Sequence, residues 1–271
     1  MESPPQIRFE DGVSYEAFMG VWSRLAGEQF LQWLAPSAGW RWADVGCGNG
    51  AFTELLFERC APAEVLGIDP SPQQLAFARE RLARAPAHFV EGDAMALPWG
   101  DASFDAATTA LVIFFVPEPA RCVAELARVV RPGGSVSSYA WDIVGGGFPL
   151  AMLQDEIATL LGRPPLWPPS AGAARIEVLQ SLWTGAGLVD VETTAFTVER
   201  TYRSFDEWWA IAQTGPRLAP FFAAMPPAQS AELRERMRAR LAIDASGAVT
   251  TSARANAVRG RVPDSSSRSR R

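Results

Sequence analysis

The chain contains no lysine, and all 25 of its Lys/Arg positions are arginine. That excludes a Schiff-base lysine and any phosphate loop ending in Gly-Lys-Ser/Thr. Histidine is almost as scarce, with His88 alone, which nearly excludes His-based zinc sites and double-histidine acid–base pairs, so no metal site is expected. His88 falls early in the strand candidate Ala87–Val90. Ligands in parallel sheets sit at the carboxyl ends of strands, so His88 reads as structural. Three scattered cysteines suggest a reducing compartment rather than a disulfide framework. No apolar run approaches the ~20 residues of a membrane helix. The start, Met1-Glu2-Ser3-Pro4-Pro5, shows no basic region followed by an apolar one, so no signal peptide is expected and the placement reads as cytoplasmic. A net charge of −5 and a pI near 5.1 leave no electrostatic footprint for nucleic acid.

What is present is more telling. With 271 residues, 48% of them hydrophobic, the chain can bury a full core as one large domain, or a domain with a cap. Residues 43–50 read Ala-Asp-Val-Gly-Cys-Gly-Asn-Gly, between a strand candidate and a helix candidate. Gly46, Gly48 and Gly50 permit backbone angles closed to other residues and let a ligand approach the main chain. The dinucleotide fingerprint spaces its glycines G-x-G-x-x-G and seats a diphosphate on the next helix. Here the spacing is G-x-G-x-G, headed by Asp44. A carboxylate there repels a diphosphate but suits a ligand bearing an ammonium and a sulfonium, which points to S-adenosyl-L-methionine. Asp69 ends the apolar run Val65–Ile68, nineteen residues beyond Gly50. Such an acid at the tip of a second strand accepts hydrogen bonds from both ribose hydroxyls.

Strand-like runs follow at 40–45, 64–69, 87–91, 104–113, 135–141 and 189–200, with a last one at 248–262. Helical patterns occupy 14–34, 51–60, 72–84, 119–130 and 176–187. The alternation predicts a parallel sheet with right-handed crossovers. The Pro-rich stretch 163–169 reads as a loop. Residues 203–242 crowd Phe205, Trp208, Trp209, Ile211, Phe221 and Phe222 into a helix-rich span. The Ser/Arg end at 264–271 reads as a disordered tail.

Five segments carry a family resemblance: Asp44–Gly50, Gly67–Ser71, Glu91–Ala94, Phe104-Asp105 and Val130–Gly134. In this order and spacing the chain resembles a class I S-adenosylmethionine-dependent methyltransferase, similar to the ubiquinone/menaquinone-biosynthesis C-methyltransferases. The resemblance covers residues 40–141 well and the rest loosely. It implies a Rossmann-like, seven-stranded, mostly parallel α/β sheet with helices on both faces, the last strand antiparallel, and a small helical cap. The expected division is an N-terminal helical lid (1–36), a methyltransferase core (37–202), a cap insertion (203–242), a last core strand (243–263) and a tail (264–271).

The same resemblance suggests site roles. Gly46 and Gly48 would face the methionine half of the cofactor, with Asp44 near its ammonium. Asp69, with Pro70 beside it, would hold the ribose. Asp93 and Ala94 would meet the adenine, and Ala110 would line the approach to the methyl group. Tyr15 and Arg24 would close over the cofactor carboxylate. Each role has a plain alternative: Asp44 could cap a helix, Asp93 could cap a turn, and Tyr15 and Arg24 could be the polar edge of a packing helix. Phe114-Phe115 stands where many relatives carry a histidine pair, which leaves Asp142 as the candidate base, or else a loop acid with no part in the chemistry. Phe114, Phe115, Trp141, Trp208, Trp209, Phe221 and Phe222 could wall an apolar acceptor pocket or simply pack the cap. The expected partner is a small-molecule acceptor, with no nucleic acid and no membrane; a homodimer is left open. Methyl transfer to such an acceptor is the expected function, and a non-catalytic S-adenosylmethionine-binding protein is the alternative.

Overall fold

The computed structural model describes residues 16–162, 164–165, 167–215 and 218–264. Seven strands form one sheet: β1 (Arg41–Val45), β2 (Glu64–Asp69), β3 (Ala87–Glu91), β4 (Phe104–Ala110), β5 (Val130–Trp141), β6 (Val189–Tyr202) and β7 (Val249–Arg261). Their spatial order is β3-β2-β1-β4-β5-β7-β6. Neighbours from β3 to β5 pair in parallel, and β7 runs antiparallel to both β5 and β6. The expected sheet is therefore present. Strand order reverses between β1 and β4, and the carboxyl ends beside such a reversal form the usual ligand crevice.

Among the described residues nine α-helices surround the sheet: α1 (Val21–Leu34), α2 (Ala51–Cys60), α3 (Pro72–Arg81), α4 (Pro119–Val129), α5 (Ala151–Leu161), α6 (Ile176–Gly185), α7 (Phe205–Ala212), α8 (Leu218–Ala224) and α9 (Pro227–Arg240). None is long and apolar enough to cross a membrane. The start of α3 shows why its boundary was readable. Pro72 takes the first helical turn, where a missing N–H costs nothing, and the Ser71 hydroxyl accepts from Gln74 N. Buried β1 reads as a nearly continuous apolar run, with Trp42, Ala43 and Val45 fully enclosed, as expected of a strand covered on both faces. Helices α1 and α2 meet the sheet at Tyr139. Phe30 stacks on its ring at 4.6 Å and Phe52 tilts against it at 5.7 Å. On β5, Trp183 of α6 donates its indole N–H to Val136 O at 2.9 Å.

Several boundaries, and one helix, differ from the sequence reading. Strand β4 stops at Ala110 rather than 113, because Leu111 turns into the left-handed region (φ 62°) and Ile113–Phe115 coils into a 3₁₀ turn. Strand β5 begins at Val130 rather than 135, with its register jumping from Phe104↔Val130 to Ala106↔Ser135. Helix α5 was not assigned at all, although Leu153, Ile157 and Leu160 fall at helical spacing and Gly162 (φ 61°) closes its end.

Candidate cofactor site

The loop after β1 is built from its main chain outward. Gly46 N and Cys47 N both donate to Ile68 O, at 2.7 and 3.0 Å, which pins the loop to the end of β2. Gly46 and Gly48 both have positive φ (79° and 52°), but their surroundings differ. A Cβ on Gly46 would lie 2.5 Å from Val112 Cγ2, so the side chain after the strained Leu111 already fills that space. A Cβ on Gly48 would meet nothing nearer than Gln74 Oε1 at 3.9 Å. The sequence reading gave both glycines two reasons, backbone angles closed to other residues and room for a ligand. Only Gly48 has that room; Gly46 is required by its protein neighbour.

Asp44 lies beneath this loop and is fully buried. Thr53, in the first turn of α2, donates its hydroxyl to Asp44 Oδ2 at 2.6 Å, while Oδ1 is buried with no partner. Burial pushes the carboxyl up to about 7; the Thr53 hydrogen bond works against that and the charge of Asp69 adds to it. Its bond goes to a hydroxyl rather than to a helix N–H, so Asp44 is no helix cap. Asn49 supports the start of α2 instead, accepting from Ala51 N at 3.2 Å. A buried carboxylate oxygen without a donor is costly, and it is complete only when a donor or cation arrives.

Asp69 has two tasks. Its Oδ2 accepts from Gly48 N at 3.0 Å and its Oδ1 from Ser71 N at 2.9 Å. Burial raises its proton affinity, and these two bonds oppose the rise. Each oxygen retains a lone pair for a further donor. Pro70, between the two anchored residues, is exposed. Beyond β3, Asp93 is exposed and its Oδ1 accepts from Met95 N at 2.8 Å, so it does shape a turn. Ala94 beside it and Ala110 at the end of β4 are half-buried. The thiol of Cys47 is pushed well up, by burial first and then by Asp44 and Asp69, and is no nucleophile in this state.

Other expected residues are not brought to the loop. Arg24 holds Glu58 Oε2 at 2.6 Å on the exterior, seven residues past the start of α2 and so about 10 Å down its axis. That is the packing-edge alternative. Tyr15 lies outside the described residues. Asp142 is 5% exposed. Its Oδ2 is held by Arg254 and its Oδ1 by Gly145 N at 3.1 Å, so it clamps the loop after β5 to β7 and is not poised as a base. Phe114, Trp141, Trp208 and Trp209 are all at most 7% exposed. Phe114 packs edge-on against Phe115, whereas Trp208 and Trp209 make their ring contacts with Phe205 and with each other, with Phe222 against Trp209, all within one core. As packed, these rings are core rather than one continuous pocket wall. Two crevices, of ≈ 460 and ≈ 440 Å³, are lined by Glu28–Cys60 residues in one case and by Glu118–Leu182 residues in the other. Neither includes Asp44, Gly48 or Asp69, and shape alone is a poorer guide here than the unsatisfied carboxylate.

Residues 43–137 match the family described as a methyltransferase domain. An O-methyltransferase of Penicillium expansum is 39% identical over 129 residues, 46% of each chain. A ubiquinone/menaquinone biosynthesis C-methyltransferase of Roseobacter denitrificans is 36% identical over 115 residues, 41% of this chain and 46% of that one. The chain thus spans less than half the length of these curated relatives. Among solved structures, phosphoethanolamine N-methyltransferase 2 of Haemonchus contortus, in complex with phosphomonomethylethanolamine and S-adenosylhomocysteine, superposes with a TM-score of 0.58 at 18% identity, covering 93% of this chain and 57% of that one. The matched domain contains Asp44, Gly48, Asp69 and Asp93, while α5–α9, β6 and β7 lie beyond it. Sequence reasoning missed two residues that shape its loop. Thr53 orients Asp44, and Val112 occupies the Gly46 face. A hydroxyl in the first turn of a helix that follows a buried acid was the available signal for Thr53; nothing local marked Val112.

Proposed function

We propose that the chain binds S-adenosyl-L-methionine on the loop 44–50 and transfers its methyl group to a small-molecule acceptor. The observation that carries this reading is the buried, unpartnered Oδ1 of Asp44 beside the open face of Gly48. Asp44 would take the ammonium of the ligand, Gly48 would let its backbone approach, and the spare lone pairs of Asp69 would take the ribose hydroxyls. Asp93 and Ala94 would border the adenine, and Ala110 the reacting methyl. When bound, the cofactor supplies a methyl group already activated by a sulfonium. The protein then needs chiefly to align the acceptor and exclude water, which fits a site where Asp142 is committed to Arg254. The relatives' names give O-, C- and N-methyltransferases, so the acceptor atom is an experimental question.

The second reading, a binder that does not methylate, would use these same cofactor contacts. Calorimetric titration with S-adenosylmethionine and S-adenosylhomocysteine, with NAD as control, tests the site; micromolar binding of the first two and none of NAD is expected. Cofactor consumption over a diverse acceptor panel then separates the enzyme from the binder. Absence of binding by both sulfur ligands would end both readings.

A further inference from the structure

Asp44 sits in an unusual electrostatic position. Among the described residues no arginine pairs with it. The titratable groups coupled to it are the Asp69 carboxylate and the Cys47 thiol. Thr53 from α2 and Thr108, opposite it on β4, are neutral hydroxyls. An ionised carboxylate buried without a cation is strongly disfavoured, so the empty site keeps a proton on it. An arriving ammonium supplies the missing charge and makes that proton unnecessary.

Thr53 decides which oxygen is left for the ligand. It is fully buried, and its single O–H is committed to Oδ2 at 2.6 Å, a length typical of a hydrogen bond to a carboxylate. The other oxygen is thereby left unmatched. We propose that Thr53 is a positioning residue for ligand capture: by holding one oxygen of Asp44 it keeps the other for an alkylammonium group and makes capture release a proton. This rests on the cofactor reading above.

The test is calorimetric titration of the full chain with S-adenosylhomocysteine between pH 5.5 and 8, in two buffers of different ionisation enthalpy. Wild type is expected to release about one proton per ligand at pH 6, with affinity rising roughly tenfold per pH unit up to about 7 and levelling off above it. Thr53→Val keeps the shape and removes the donor. It should move that levelling-off upward by about one pH unit, so that affinity drops about tenfold at pH 6.5 and largely recovers at pH 8. Thr53→Ser should restore the wild-type profile. An unchanged profile in Thr53→Val, or a loss equal at every pH, would overturn the proposal, since a packing role has no reason to track protons. Binding by wild type that neither releases a proton nor varies with pH would do the same. No binding by wild type at any pH would instead remove the cofactor reading on which the proposal stands.

Discussion

The carboxyl ends of β1 and β5 each carry a buried aspartate, and the two are finished in opposite ways. Asp142 has both oxygens engaged, one by Arg254 and one by Gly145 N. The surrounding main chain is closed as well, with Asp142 N donating to Arg254 O at 3.0 Å and Arg254 N to Gly147 O at 2.9 Å. Asp44 has one neutral hydroxyl and one empty oxygen. Folded proteins rarely leave buried polar atoms unpaired. The complete carboxylate is therefore architecture, and the incomplete one is the position proposed above for the ligand's ammonium.

The contrast can be broken in four ways. The largest effect is expected from Asp142→Ala, which strands the Arg254 charge and empties the loop clamp. A fully buried pair loses 3–5 kcal/mol when one partner goes; with Arg254 half in water, about 2–3 kcal/mol is expected in denaturant unfolding. Affinity for S-adenosylhomocysteine should be unchanged in the folded fraction, and a parallel fall in affinity would show that the two ends are not independent. Asp44→Ala should do the reverse, weakening S-adenosylhomocysteine about ten- to a hundredfold, or roughly 1.4–2.8 kcal/mol, with no loss of thermal stability at pH 8.

A pH series sharpens the same point. The folded protein holds the Asp44 proton up to about 7, whereas the unfolded chain releases it near 3.8. Between those values the folded state binds the extra proton, so this group's contribution to stability declines as pH rises and is fully lost above about 7. Asp44→Asn should remove that decline, gaining on wild type by about 2–3 kcal/mol between pH 5 and 8. A constant gap across that range would contradict the assignment. The smallest effect is expected from Gly48→Ala. Its left-handed backbone costs an alanine about 1 kcal/mol without a clash, so the fold should survive in a melting experiment while S-adenosylhomocysteine binds less tightly. Undiminished binding would mean that the ligand does not use the open face of Gly48.

Much of the site was legible because it is local. Asp44, the glycine spacing and Asp69 lie on two consecutive strand–turn–helix units, and alternating apolar runs announced every strand of the sheet. Errors arose where a distant residue intervened. Strand β4 looked longer because residues 111–113 are apolar, yet Leu111 abandons strand geometry while still donating to Tyr139 O at 2.8 Å. Arg24 looked available to a ligand because its partner, Glu58, is 34 positions away. The cap aromatics looked like pocket lining because composition cannot distinguish rings facing a ligand from rings facing one another.

By itself the sequence determined the alternation of strands and helices, the turn conformations that only glycine tolerates, and the presence of acids at the tips of β1 and β2. These follow from periodicity, backbone sterics and short-range spacing. The tertiary structure alone decided which buried acid received an arginine, which glycine was left open and which aromatics were consumed by the core. Each of those depends on a partner remote in sequence, brought close only when the sheet is assembled.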